Sequence, residues 1–65
     1  FQMENTMYFD NAIAIYRQRI SALAAKDHYL AERLREKFQW ACREDAKRTG
    51  ISYIKTFYDA VEAAS

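Results

Sequence analysis

The chain has 65 residues and a formal net charge of +1, from ten Lys/Arg against nine Asp/Glu. Half of it is hydrophobic (51%), ten residues are aromatic and none is proline, a composition that excludes disorder and favours uninterrupted helices. The balanced charge lacks the positive excess that neutralises nucleic-acid phosphates. No apolar run approaches the roughly 18 residues of a membrane span, and no signal-peptide pattern is present.

Phe1-Gln2 ahead of Met3 reads as the remnant of a cleaved tag, with Met3 as the native start and residues 3–65 as a single helical domain. The first helix is expected from near Asn5 or Asp10 to about Ala25. Phe9, Ile13, Tyr16, Ile20 and Leu23 recur at steps of four and three, the seam of a helix that packs on another. Asp10 suits the positive end of the helix dipole. Lys26-Asp27-His28 is the candidate break, with Asp27 as N-cap of a second helix.

The second helix is expected over about His28 to Thr49, with Leu30, Leu34, Phe38, Ala41 and Cys42 as its apolar stripe. Lys47 and Arg48 suit its C-terminal end, and Gly50, the single glycine, supplies a left-handed stop. Ser52 caps a third helix over about Tyr53 to Ala64, whose buried face is expected to be Ile54, Phe57, Tyr58 and Val61. The fold class is therefore all-α: an antiparallel helical hairpin with a shorter third helix across it.

A chain this short buries only about 60% of its unfolded surface and usually needs a staple. Cys42 is the sole cysteine and His28 the sole histidine, so neither an internal disulfide nor a Cys/His zinc site can be closed. Self-assembly is the staple left, with a homodimer as the default. The unpaired thiol fits a reducing cytoplasm.

The second helix also carries a second face. Tyr29, Arg33, Glu36, Trp40, Arg43 and Lys47 project opposite the Leu30–Phe38 stripe, and Tyr8 and Ile15 lie off the main stripe of the first helix. As isolated surface apolars they need no explanation. As a set containing Trp, Tyr and Arg they have the composition of an interface hot spot. The expected dimer or partner interface is Tyr8, Ile15, Tyr29, Arg33, Trp40 and Arg43. Asp45 falls inside the apolar stripe by angle; it is either solvated where the core thins out or held by the Ser52 or Tyr53 N–H.

Around the second turn, Ala46, Gly50 and Ile51 have the spacing of a helix-turn-helix. That motif also wants apolar residues at four inward positions, which here hold Asp45, Thr49, Thr56 and Asp59. Duplex binding through Lys47, Arg48, Ser52, Tyr53 and Lys55 is the alternative function, weakened by acidic Asp59 and Glu62. Arg33, Lys37, Arg43, Lys47 and Arg48 are interleaved with Glu32, Glu36, Glu44 and Asp45, the pattern of a solvated face with local pairs such as Glu32–Arg35 or Glu44–Arg48. His28 lies beside Asp27 with Glu32 one turn on, but no nucleophile motif accompanies it, and Cys42 reads as a core thiol. No glycine-rich loop exists to hold a nucleotide. The reading is of a non-enzyme without cofactor or metal.

The segments Asp10-Asn-Ala-Ile-Ala-Ile-Tyr-Arg and Trp40-Ala-Cys-Arg, with the 63 residues from Met3 onward, resemble the small early proteins of the exo–xis region of lambdoid bacteriophages. The resemblance extends over the chain from Met3 and rests on general likeness and length. It implies a protein of the bacterial host cytoplasm, associated with the lysis–lysogeny balance and host growth, and acting on a host or phage protein. It brings no catalytic residues.

Overall fold

The computed structural model describes the backbone of residues 2–65 and the side chains of residues 11–65. Three helices account for nearly all of it: α1 (Gln2–Ala24), α2 (His28–Thr49) and α3 (Tyr53–Ala64). No strand occurs among the described residues. The helix α1 begins at Gln2, ahead of the expected Asn5 or Asp10, so Asp10 is not in its first turn. Phe9, Tyr8 and the side chain of Asp10 lie outside the described side chains.

Backbone chemistry explains both turns. The α1 helix closes with bonds from Lys26 N–H to the Leu23 carbonyl (3.0 Å) and from Asp27 N–H to the Ala22 carbonyl (2.8 Å). This is a Schellman closure, and its left-handed residue is Lys26 at φ 62°, where glycine is usual. Asp27 then caps α2 by accepting the Leu30 N–H at 3.2 Å. At the far end Gly50 adopts φ 78°, and its N–H bonds the Ala46 carbonyl at 2.9 Å. Ser52 caps α3 by accepting the Lys55 N–H at 3.2 Å.

Phe38 is the largest fully buried side chain among the described residues, and the three helices meet on it. Its ring centroid lies 4.9 Å from that of Tyr16 on α1 and 5.1 Å from that of Phe57 on α3, one ring from each helix in tilted or edge contact. Around it the buried residues are small: Ala12, Cys42 and Ala60. A second cluster, Ala22, Ala31 and Leu34, sits nearer the first turn, and Ile15 packs against both.

This core corrects the expected stripes. Among the described side chains of α1 the buried residues are Ala12 and Ala22; Ile13 and Tyr16 are half-buried, while Ile20 and Leu23 are exposed. In α2 Ala31 is buried and Leu30 is exposed. Alanines at the contact let the helices approach closely, and the larger neighbours are left on the flanks. The rotation of α3 differs most: Thr56, Ala60 and Ala64 are buried, Phe57 and Val61 are half-buried, and Ile54 and Tyr58 face outward. Thr56 tolerates complete burial because its hydroxyl donates to the Ser52 carbonyl at 2.9 Å.

Two substitutions test this account by urea unfolding. Phe38→Ala should cost about 3–5 kcal/mol, as large aromatic truncations in cores do. That equals the whole margin of about 3–5 kcal/mol expected of so small a core, so the variant should be largely unfolded. Lys26→Gly should stabilise the chain by about 1 kcal/mol, because it removes the left-handed penalty of a β-carbon. A neutral or destabilising Lys26→Gly would contradict the assigned turn.

Candidate interaction face

The wet side of α2 carries most of the expected interface. Tyr29 is 73% and Trp40 62% exposed, although both are large and aromatic. Arg33 donates to the Tyr29 hydroxyl at 2.9 Å, and its guanidinium carbon lies 5.8 Å from the Tyr29 ring centroid, which joins the two into one unit. Between this face and α1 runs a groove of ≈ 720 Å³. Ile15 and Leu34 contribute to its apolar floor, with Trp40 on one wall. Arg33, Lys37 and Arg43 alternate there with Glu36 and Glu44, and Asn11 and Gln18 line the α1 side.

Four of the six expected interface residues, Ile15, Arg33, Trp40 and Arg43, therefore line one groove, and Tyr29 joins through Arg33. Tyr8 lies outside the described side chains. Ile15 also belongs to the core, since it is half-buried and packs against both core clusters. Arg43 also reaches the other way: its guanidinium carbon stands 5.6 Å from the ring centroid of Tyr53 on α3. It links the groove to a second apolar surface, formed by Tyr53, Ile54, Phe57 and Tyr58.

Most of the residues expected at a duplex have other partners. Arg48 is paired with Asp45 and Lys55 with Asp59, the latter at 2.8 Å; both partners are acidic. The Asp59 carboxylate pushes the Lys55 pKa up. The Ser52 hydroxyl oxygen is the cap of α3, and Tyr53 is half-buried beneath Arg43. Lys47 has no ion pair among the described residues. Around the turn, Asp45 and Thr56 are buried, as a helix-turn-helix requires of those positions, even though both are polar. The outward surface at the start of α3 holds Ile54 and Tyr58 with Lys55 between them, and the Asp59 partner of Lys55 offsets its charge towards phosphates.

Asp45 is the feature the sequence placed correctly but supplied with the wrong partner. Its side chain is 1% exposed, so it is not solvated. It is not held by Ser52 or Tyr53: Oδ1 accepts from Arg48, and Oδ2 has no partner. Arg48 thus pairs with Asp45 and not with Glu44, whereas the expected Glu32–Arg35 pair does form and lowers the Glu32 pKa. Burial pushes the Asp45 carboxyl up from its ordinary value of 3.8, and Arg48 only partly opposes it. Nearby, burial first and the Asp45 charge second push the Cys42 thiol to about 11. It is therefore a thiol and not a nucleophilic thiolate at neutral pH.

No group of three or more His, Cys, Asp or Glu residues able to hold a metal occurs among the described residues. No described helix is long and apolar enough to cross a membrane. No protein-family model, curated protein or solved structure matches the chain.

A raised carboxyl pKa means that the folded chain binds that proton more tightly than the unfolded one. The Asp45 contribution to stability is therefore fully present below its ordinary 3.8 and is lost as pH rises through the folded value. Asp45→Asn keeps an oxygen for Arg48 and removes the titration. The variant should gain stability relative to the wild type between about pH 3 and about pH 7. Urea midpoints across that range check it, and parallel profiles for the two chains would show that Asp45 titrates normally.

Proposed function

We propose that the chain is a small regulatory protein that acts by binding other proteins through the Trp40 face. The observation that carries this is the exposure of Trp40 and Tyr29 beside a charged, apolar-floored groove on a chain with little core to spare. Trp, Tyr and Arg concentrated in one place have the composition of a binding hot spot, and burying them is worth more than burying the same area of Lys or Glu. A groove between two helices suits an extended or helical segment of a partner, with Arg33, Lys37 and Arg43 alternating with Glu36 and Glu44 to set its register.

In this reading α1 and α2 form an antiparallel hairpin with α3 laid across it, and the chain assembles as a homodimer. The partner is a second copy or a host or phage protein, and no cofactor is required. The resemblance to early proteins of the lambdoid exo–xis region supplies the setting: the bacterial host cytoplasm, early infection or prophage induction, and an influence on the lysis–lysogeny balance or host growth. Catalysis draws no support from a buried, protonated Cys42. Duplex binding draws none from cations already paired to Asp45 and Asp59.

A photo-crosslinker introduced at position 40, in chain expressed in a lysogenic bacterial host, tests the reading. It should give a discrete protein adduct that the same group at exposed Ala24 does not give. Trp40→Ala should retain the helical circular dichroism spectrum and lose the effect of the wild-type chain on induction or growth. Its affinity for the captured partner should fall at least about tenfold, in the range of hot-spot truncations. Equal adducts at both positions, or a fully active Trp40→Ala, would overturn the assignment.

A further inference from the structure

The apolar side chains of α3 that the core does not take lie along one edge of the helix. Tyr53, Phe57 and Val61 are half-buried against the core, and beyond them Ile54 is 65% and Tyr58 66% exposed. At 3.6 residues per turn, Ile54, Tyr58 and Val61 fall within an arc of about 60°. Lys55, which also pairs with Asp59 on its own helix and keeps most of its side chain exposed, and Glu62 border that arc on its outer side, one near each end of the helix. The hollow at its N-terminal half, lined by Tyr53, Ile54, Phe57 and Tyr58, measures only ≈ 210 Å³ and holds no charged side chain.

We propose that this edge of α3 is the seam on which a second copy of the chain docks, the two helices running antiparallel about a twofold axis near Tyr58. The pattern is self-complementary in that direction. With Tyr58 opposite Tyr58 of the second copy, Ile54 comes within one residue (about 1.5 Å) of level with Val61, and Lys55 within one residue of level with Glu62. Symmetry repeats each pairing, so two opposite-charge contacts flank an apolar strip. A parallel arrangement would set Lys55 against Lys55 and Glu62 against Glu62, which repel.

The two surfaces of the molecule also differ in the way that separates the two kinds of interface. Seams between identical subunits are more apolar than the faces used for other partners. The α3 edge is the apolar surface, and the Trp40 groove is the charged one. A helix of 12 residues is about 18 Å long, so α3 alone falls short of the roughly 800 Å² per partner of a standard interface. The dimer is therefore in concentration-dependent exchange with the monomer. The proposal takes from the functional reading only that the chain self-assembles. It assigns the second copy to α3 and leaves the Trp40 groove to a foreign protein.

Light scattering behind a sizing column, over a range of loading concentrations, tests it on the full chain. The wild-type mass should climb from 7.7 kDa towards twice that value. Lys55→Glu and Glu62→Lys should each weaken self-association about tenfold, since each replaces two attractions with two repulsions. The double variant should restore it, and Trp40→Ala should leave it unchanged. Both reversals put the favoured sign at the helix ends, so α3 stays folded, which circular dichroism checks. A mass of one chain at every concentration, a limiting mass above two chains, or a double variant as weak as the singles would overturn the seam. A dimer indifferent to these charges but dissolved by Trp40→Ala would overturn it as well, while keeping the functional reading. Failed crosslinking at position 40 with a charge-sensitive dimer would remove the functional reading alone.

Discussion

One ring holds this fold together. Phe38 touches Tyr16 and Phe57, so one ring is in contact with all three helices. Around it the chain places Ala12, Cys42 and Ala60, which add little volume and let the three helices close on the ring. A core made this way is dense but small. Among the described residues the largest fully buried side chains are Phe38, Thr56, Asp45 and Cys42, and of these only the first is a sizeable hydrophobe.

The exposed aromatics follow from that economy of volume. Tyr29, Trp40, Ile54 and Tyr58 do not fit where alanines make the contacts, and they remain outside. Covering a large apolar side chain is worth about 1.5–3 kcal/mol as an upper bound. Four such side chains left mostly in water forgo an amount at least comparable to the margin of about 3–5 kcal/mol expected of so small a core. A chain with no disulfide has more to gain from burying them against another chain than from anything it can do alone. The middle helix α2 separates two exposed surfaces, and Arg43 touches both: it lines the groove and stacks on Tyr53.

Much of the fold is legible in the sequence because local chemistry decides it. Asp27, Gly50 and Ser52 mark helix ends by capping or by a left-handed backbone, and all three act where their chemistry says they should. Leu34, Phe38 and Cys42 are buried as their spacing implies. The exposure of Tyr29 and Trp40 is legible too, because aromatics opposite an established stripe have no internal place to go. Which face of α3 turns inward is not legible by counting bulky apolar residues, since Thr56, Ala60 and Ala64 take the inside. The signal was present in another form: small residues every fourth position mark where a helix approaches another closely. Ile20, Leu23 and Leu30 were misplaced for the same reason, displaced by Ala22 and Ala31. Lys26 gives no warning of a left-handed backbone, because nothing in a lysine favours it.

The polar residues at the second turn complete the argument about orientation. Thr49 donates its hydroxyl to the Asp45 carbonyl at 2.9 Å and accepts the Ile51 N–H at 3.2 Å, which ties the end of α2 to the turn. Thr56 satisfies its own hydroxyl on the Ser52 carbonyl, so the start of α3 carries no unpaired hydroxyl inward. Asp45 remains buried with one oxygen unpaired, a cost that an apolar residue would avoid. Were α3 rotated to bury Ile54 and Tyr58, the small stripe Thr56–Ala60–Ala64 would face water and the close approach to Phe38 would be lost. The large side chains would then have to be accommodated by separating the helices, at the expense of the contacts that all three share. Tight packing on one ring and burial of every aromatic are incompatible in this chain. The aromatic edge of α3 is the consequence of the first being satisfied.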